Sequence, residues 1–259
     1  MIEHHARRQQ WRRIHRGVYT PNQGRLTRRQ LWRAATLTSP DSFLSHGSAG
    51  AYYGIRRFDK PFEVVTRPGN GGRRRHGRLL VCRSATLAGH TTTNDGIAMT
   101  TAARVLVDVA PHVSERALGR AFREALRLEA TTPQRLRAVL ASLDNARGTS
   151  HLKLLTARYG HLPYSRTRSN PEARALEVLH DAGIEPPLVN ARIAGEEADL
   201  VWPRRQRIVE IDGPQFHRFR DEDERKQGVW EGAGFTVERI ASDDVYERPD
   251  LLAALAIGA

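Results

Sequence analysis

The sequence predicts an α/β protein in two parts, an α+β N-terminal region followed by an α/β C-terminal domain. Three observations carry that prediction. The chain has 259 residues, above the length at which a single hydrophobic core is usual. Its formal net charge of +12 conceals an asymmetry: residues 169–259 hold 11 Lys and Arg against 19 Asp and Glu, leaving 30 against 10 for residues 1–168. Within residues 169–259 the apolar spacing switches between helical and strand periods, in the order helix, three strands, helix, strand, helix. The predicted division is a basic region 1–160, a linker 161–168 and an acidic domain 169–259.

Composition narrows the function classes. Apolar residues at 39% and charged residues at 27% suit a globular chain, and no apolar run approaches the roughly 18 residues that a membrane span needs. No membrane association is expected. The first 17 residues contain no apolar segment of the secretory kind, and a single cysteine, Cys82, cannot form an internal disulfide. Both agree with the cytoplasm. The basic region predicts a polyanionic partner, nucleic acid and in particular double-stranded DNA. Only three of the basic residues are lysine, so an arginine-rich genome composition is the competing explanation.

Residues 3–13 have helical spacing with Trp11 as their large apolar anchor, and residues 12–19 then alternate as a strand. Arg12, Arg13 and Arg16 are therefore candidate nucleic-acid contacts, with a solvated basic helix as the plainer reading. Residues 26–38 are predicted helical. Residues 45–54 read as a small-residue helix packed close to a neighbour. Ser48 resembles a hydrolase nucleophile only superficially, because His46 stands where a nucleophile elbow requires glycine.

Strands are predicted at 62–66 and 79–83, separated by a Gly- and Arg-rich stretch holding Arg73, Arg74, Arg75 and Arg78. Like charges and glycines suit a mobile solvated loop. The same residues suit a phosphate-contacting arm, each neutralised phosphate steepening the salt dependence of binding by roughly 0.9 in log–log slope. Helices follow at 101–110, 114–129, 133–143 and 150–159, the first capped by Thr100 or Thr101. Residues 159–169, with Gly160 and Pro163, read as the linker.

Ser169 with Glu172 three positions on is a capping-box pattern opening a helix to residue 181, which Gly183 ends. Strands 188–193, 198–202 and 207–212 follow, then helix 220–232, strand 235–240 and helix 244–256. Strand alternation puts Glu210 and Asp212 on one face while Val209 and Ile211 face a core. Hairpin pairing brings Asp199 beside them. Acids so placed repel unless a cation lies between them, so Asp199, Glu210 and Asp212 are a predicted Mg2+ (or Mn2+) site. Pairing of Glu210 with Arg207 or Arg239, with Asp212-Gly213 merely ending the strand, is the alternative.

Taken together, Ser169-x-x-Glu172, Asn190, Ala198-Asp199 with Pro203, Glu210-Ile211-Asp212-Gly213 with His217, and Gly234-Phe235-x-Val237-x-Arg239 resemble the PD-(D/E)XK nuclease superfamily. Within it, the closer resemblance is to the domain of unknown function 559, a relative of the very-short-patch-repair endonucleases. The resemblance covers residues 169–255 and implies a restriction-endonuclease-like central mixed sheet flanked by helices. It implies an endonuclease in which acids bind Mg2+ and the ion activates water against a phosphodiester. The superfamily pattern has Glu-x-Lys where this chain has Glu210-x-Asp212. His217 is the implied substitute that orients or deprotonates the water, Lys226 a displaced alternative, and Glu172 a further metal-site acid acting through an outer water.

The basic stretch running into Arg16-Gly17-Val18-Tyr19, the small-residue helix, the strand pair and residues 95–108 resemble AbiEi-type antitoxin proteins. Two helices that should precede the winged element are missing, so the winged helix is incomplete. This resemblance implies a DNA-binding antitoxin or transcriptional regulator with a toxin partner, in which the nuclease fold is an inactive binding platform.

Overall fold

The computed structural model describes residues 11–143, 146–213 and 220–258. The chain is α/β, with helices and strands in mixed sheets, and it divides into two compact units, Met1–Arg158 and Tyr159–Ala259. Among the described residues no helix is long and apolar enough to cross a membrane.

The first unit opens on an antiparallel pair, β1 (Arg12–His15) and β2 (Val18–Thr20). Gly17, with φ +78°, makes the turn between them. Arg12 and Arg13 thus lie in a strand, correcting the helix expected through residue 13, and residues 3–10 of that expected helix fall outside the described residues. Helix α1 (Arg28–Thr36) follows a capping box in which Thr27 and Gln30 each bond the other's main chain.

A six-stranded mixed sheet is the centre of this unit. Its strands are β3 (Phe43–Leu44), β4 (Glu63–Pro68), β5 (Arg74–His76), β6 (Leu79–Ser84), β7 (Thr91–Asn94) and β8 (Ile97–Thr100), in spatial order β5-β6-β4-β3-β8-β7. β4 and β6 run parallel, and β5 returns antiparallel on β6 through Gly77, whose φ is +58°. The stretch expected to be a solvated loop therefore contains an edge strand carrying Arg74 and Arg75.

Helix α2 (His46–Tyr52) packs closely for a steric reason: a Cβ on Gly47 would collide with the Phe58 ring. Helices α3 (Ala102–Val109), α4 (Glu115–Arg127), α5 (Pro133–Ser142) and α6 (Thr149–Tyr159) complete the unit. Thr101, Ser114 and Thr132 cap the first three by accepting a main-chain N–H two or three residues into each helix. Leu118, Ala121, Phe122, Ala125 and Leu126 form the buried stripe of α4, and Arg123 is buried with them.

In the second unit, residues 159–168 are built in rather than linking. Tyr164 is buried, and its hydroxyl donates to Glu177 Oε1 at 2.9 Å. Helix α7 (Asn170–Asp181) follows, capped by Ser169, whose side chain accepts from Glu172 N–H. The capping box is only half formed, because the Glu172 carboxylate accepts from Arg168 N–H instead of Ser169.

The sheet of this unit has the order β12-β11-β10-β9, from β9 (Leu188–Ile193), β10 (Glu196–Trp202), β11 (Arg207–Asp212) and β12 (Thr236–Ala241). The first three are antiparallel in sequence. β12 pairs parallel to β11 after helix α8 (Arg220–Gly232). One face carries Leu200, Trp202, Val209 and Ile240 against α7 and against the closing helices α9 (Asp244–Glu247) and α10 (Pro249–Ile257). On the other face Trp230 of α8, fully buried, covers Ala198, Val201 and Ile208. Two covered faces fix the register, because a slip by one residue would exchange the two sets of side chains.

Candidate functional site

The β10–β11 ladder pairs Trp202 with Arg207, Val201 with Ile208 and Leu200 with Val209. The next residues in that register are Asp199 and Glu210, and there side chains replace main-chain carbonyls as acceptors. Asp199 N–H donates to Glu210 Oε1 at 2.8 Å, and Ile211 N–H donates to Asp199 Oδ2 at 2.8 Å. The strands part at this point, with the two acids fixed in the opening.

Electrostatics follow from the geometry. Burial, and then the charge of Glu210 beside it, push the Asp199 carboxyl up to about 7, with Glu172 and Asp212 adding smaller like-charge contributions. Glu210 is also raised, chiefly by burial, against the lowering effects of its bond from Asp199 N–H and of Arg239. Each acid keeps one oxygen, Asp199 Oδ1 and Glu210 Oε2, with no hydrogen bond from the described residues. Two hard oxygen donors that destabilise one another when ionised fit a divalent ion such as Mg2+.

Asp212 does not complete a three-acid site. The parallel register sets Arg239 of β12 opposite Glu210, and its guanidinium donates to Asp212 Oδ1 at 3.1 Å. Among the described residues no group of three His, Cys, Asp or Glu side chains converges to hold a metal. The predicted cluster is therefore an acid pair, with the third acid already paired to a cation. Arg207, the other guanidinium considered for this place, faces away; it donates to Leu255 O at 3.2 Å and forms an ion pair with Glu238 at 3.7 Å.

Glu172, 5% exposed, adds a like charge beside Asp199. Its Oε2 accepts from Arg168 N–H at 2.9 Å and from Asn190 Nδ2 at 2.8 Å. Asn190 stands opposite Asp199 in the β9–β10 register and has φ +49°, a left-handed conformation inside a strand. Lys226 lies 3.6 Å from Glu222. His217 lies outside the described residues.

The basic residues predicted in the first unit separate into groups. Arg13, Arg16 and Arg78 line one groove of about 830 Å3 together with His15 and His76, so the β1–β2 hairpin and the β5–β6 turn share a basic surface. Arg73 and Arg74 line a second concavity of about 460 Å3 with Arg67 and Arg83. Several expected contacts are also engaged within the unit: Arg12 donates to Gly24 O at 2.9 Å, Arg13 Nε to His15 O at 3.3 Å, Arg78 lies 3.8 Å from Glu63, Arg73 bonds His112, and the Arg75 guanidinium lies 4.9 Å over the Phe62 ring. The arginine arm is thus divided by strand alternation and does not present one face.

Sequence reasoning missed Arg67, Arg83, Arg104 and Arg147. Arg104 had a legible signal, a lone cation in an apolar helix with Asp108 four residues on. The others are brought in by non-local packing. Among known proteins, no family model matches the chain and no curated protein matches it.

Proposed function

We propose that the second unit is a divalent-metal-dependent endonuclease domain of a cytoplasmic protein, and that the basic first unit contacts double-stranded DNA. The observation that supports it is the pair of buried carboxylates, Asp199 and Glu210, locked across the opening between β10 and β11. These two would hold Mg2+ or Mn2+. When bound, the ion would supply a water of lowered pKa and offset charge on the scissile phosphate.

The chain's own residues do the rest. Arg239 brings the positive charge that the superfamily pattern draws from lysine, delivered from the neighbouring strand to Asp212. A guanidinium stays protonated, so Arg239 holds charge beside the phosphate and takes no proton. Proton transfer falls to His217, as the resemblance implies. Asn190 and Glu172 hold the strand opposite Asp199 in place.

A cleavage assay on single- and double-stranded DNA with Mg2+, Mn2+ or chelator tests the reading. Metal-dependent cleavage lost in both Asp199→Ala and Glu210→Ala is the expected result. Cleavage that persists in both variants, or that is absent from the wild type with every metal, removes it.

The second reading is an AbiEi-like antitoxin or transcriptional regulator with a toxin partner, in which the nuclease fold only binds. The Arg239–Asp212 pair favours it, since a guanidinium already neutralises one of the three expected metal acids. Undiminished DNA binding without cleavage is its signature in the same assay.

A further inference from the structure

A cavity of about 360 Å3 lies in the first unit where β6, α3 and the ends of the Gly-rich stretch meet. Arg73, Arg83, Arg104 and Arg147 line it, and among the described residues Asp108 is the one carboxylate that does. Asp108 is matched on one side: Arg104 Nε donates to its Oδ1 at 2.8 Å, and its buried Oδ2 has no hydrogen-bond partner among the described residues. Arg104, 4% exposed, is held on its other side by Ser84 Oγ at 2.9 Å and by Thr86 O. It is a fixed cation in the wall. Arg73, Arg83 and Arg147 line the cavity as well, so four guanidiniums stand there against one carboxylate among the described residues.

Two features show that this wall is constructed. Gly148, with φ +79°, has no room for a Cβ, which would meet Pro111 N at 2.9 Å. With glycine there, the turn carrying Arg147 lies directly against the main chain of Ala110 and Pro111. His46 lines the cavity with φ +49°, a conformation that costs a non-glycine residue energy. Its ring stacks 6.1 Å from His112, which in turn bonds Arg73. Burial, and then the charges of Arg73, His112 and Arg104, hold the His46 imidazole down at about 3. His46 therefore stays neutral and adds no charge of its own.

We propose that this cavity is a binding site for a phosphate monoester, the group carried by a free mononucleotide or by the phosphorylated end of a strand. Four guanidiniums against one carboxylate among the described residues match a dianion better than the single charge of a backbone phosphodiester. Concave placement focuses their field where the phosphate would sit, and guanidinium forks suit its oxygens. The volume exceeds a bare phosphate and lies in the usual range for a small-ligand site. The site is independent of catalysis at Asp199 and Glu210, and its readout is binding alone.

The test uses the full chain and calorimetry at matched ionic strength, with inorganic phosphate, adenosine monophosphate, and one DNA oligonucleotide with and without a terminal phosphate. Phosphate and the mononucleotide are expected to bind where chloride does not. Affinity should fall at least about tenfold in Arg83→Gln/Arg147→Gln and hold in Arg137→Gln, exposed on α5 and outside the cavity. Lysine at position 147 (Arg147→Lys) should restore part of the loss. A preference for the phosphorylated oligonucleotide that the double variant abolishes assigns strand ends. Mononucleotide binding without that preference assigns free nucleotides. Phosphate that binds no better than chloride, or binding undiminished in the double variant, overturns the proposal.

Discussion

Asp199 and Glu210 clasp each other's strand: Glu210 accepts the N–H of Asp199, and Asp199 accepts the N–H of Ile211, the residue after Glu210, both at 2.8 Å. The arrangement holds two acids together that would separate if free. It makes them at once part of the fold and a seat for a cation, and the two roles respond oppositely to pH.

Ionised Asp199 works against folding, because its folded pKa lies above the unfolded value. The cost is absent below the ordinary value of 3.8, grows as pH rises and is complete above about 7. Asp199→Asn keeps an acceptor for Ile211 N–H. Its stability relative to wild type should rise by about 1–2 kcal/mol between roughly pH 5 and pH 8 in urea denaturation. Mg2+ at the higher pH should stabilise the wild type and leave the Asn variant unchanged.

Asp212 is held by Arg239 and stands apart from the clasp. Asp212→Asn should therefore lower cleavage by about tenfold or less, whereas Glu210→Gln should lower it on the order of a hundredfold or more. Rates measured at saturating Mg2+ compare the two. Equal losses would return Asp212 to the metal site.

Asn190 combines a left-handed backbone with two bonds from its amide, to Arg166 O at 2.9 Å and to Glu172 at 2.8 Å. Asn190→Gly tolerates the backbone and loses the bonds; Asn190→Ala loses the bonds and strains the backbone as well. Thermal or urea denaturation should find both destabilised, alanine more than glycine by about 1 kcal/mol.

DNA binding through the first unit should lose roughly 0.9 in log–log salt slope for each phosphate contact removed. Replacing Arg13, Arg16 and Arg78 by glutamine is expected to flatten the slope. The same change at Arg12 and Arg75, which do not line that groove, should not. Titrations over a range of salt concentrations distinguish the two sets.

Much of the second unit was legible, because long apolar stripes and paired strands of six or seven residues leave a strong periodic trace. Asp199 and Glu210 could be placed from alternation and hairpin pairing alone. The partner of Asp212 could not, since Arg239 reaches it only through a parallel register set by the crossover helix. In the first unit β3 has two residues and β5 is three charged or polar ones, too short for a period to show. The β7–β8 hairpin did carry a signal: Asp95 and Gly96, with φ +50° and +72°, form the kind of Asp-Gly turn that joins paired strands.

Tyr164 has a practical corollary for anyone isolating the acidic half. Glu177 is 1% exposed, and its Oε1 takes a hydrogen bond from that phenol. An expression fragment begun at Ser169 would remove that donor from the buried carboxylate and leave Arg174, 2.9 Å from its other oxygen. Boundaries placed upstream of Tyr159, whose hydroxyl also reaches Asp181 at 2.6 Å, should yield soluble material, and later starts inclusion bodies.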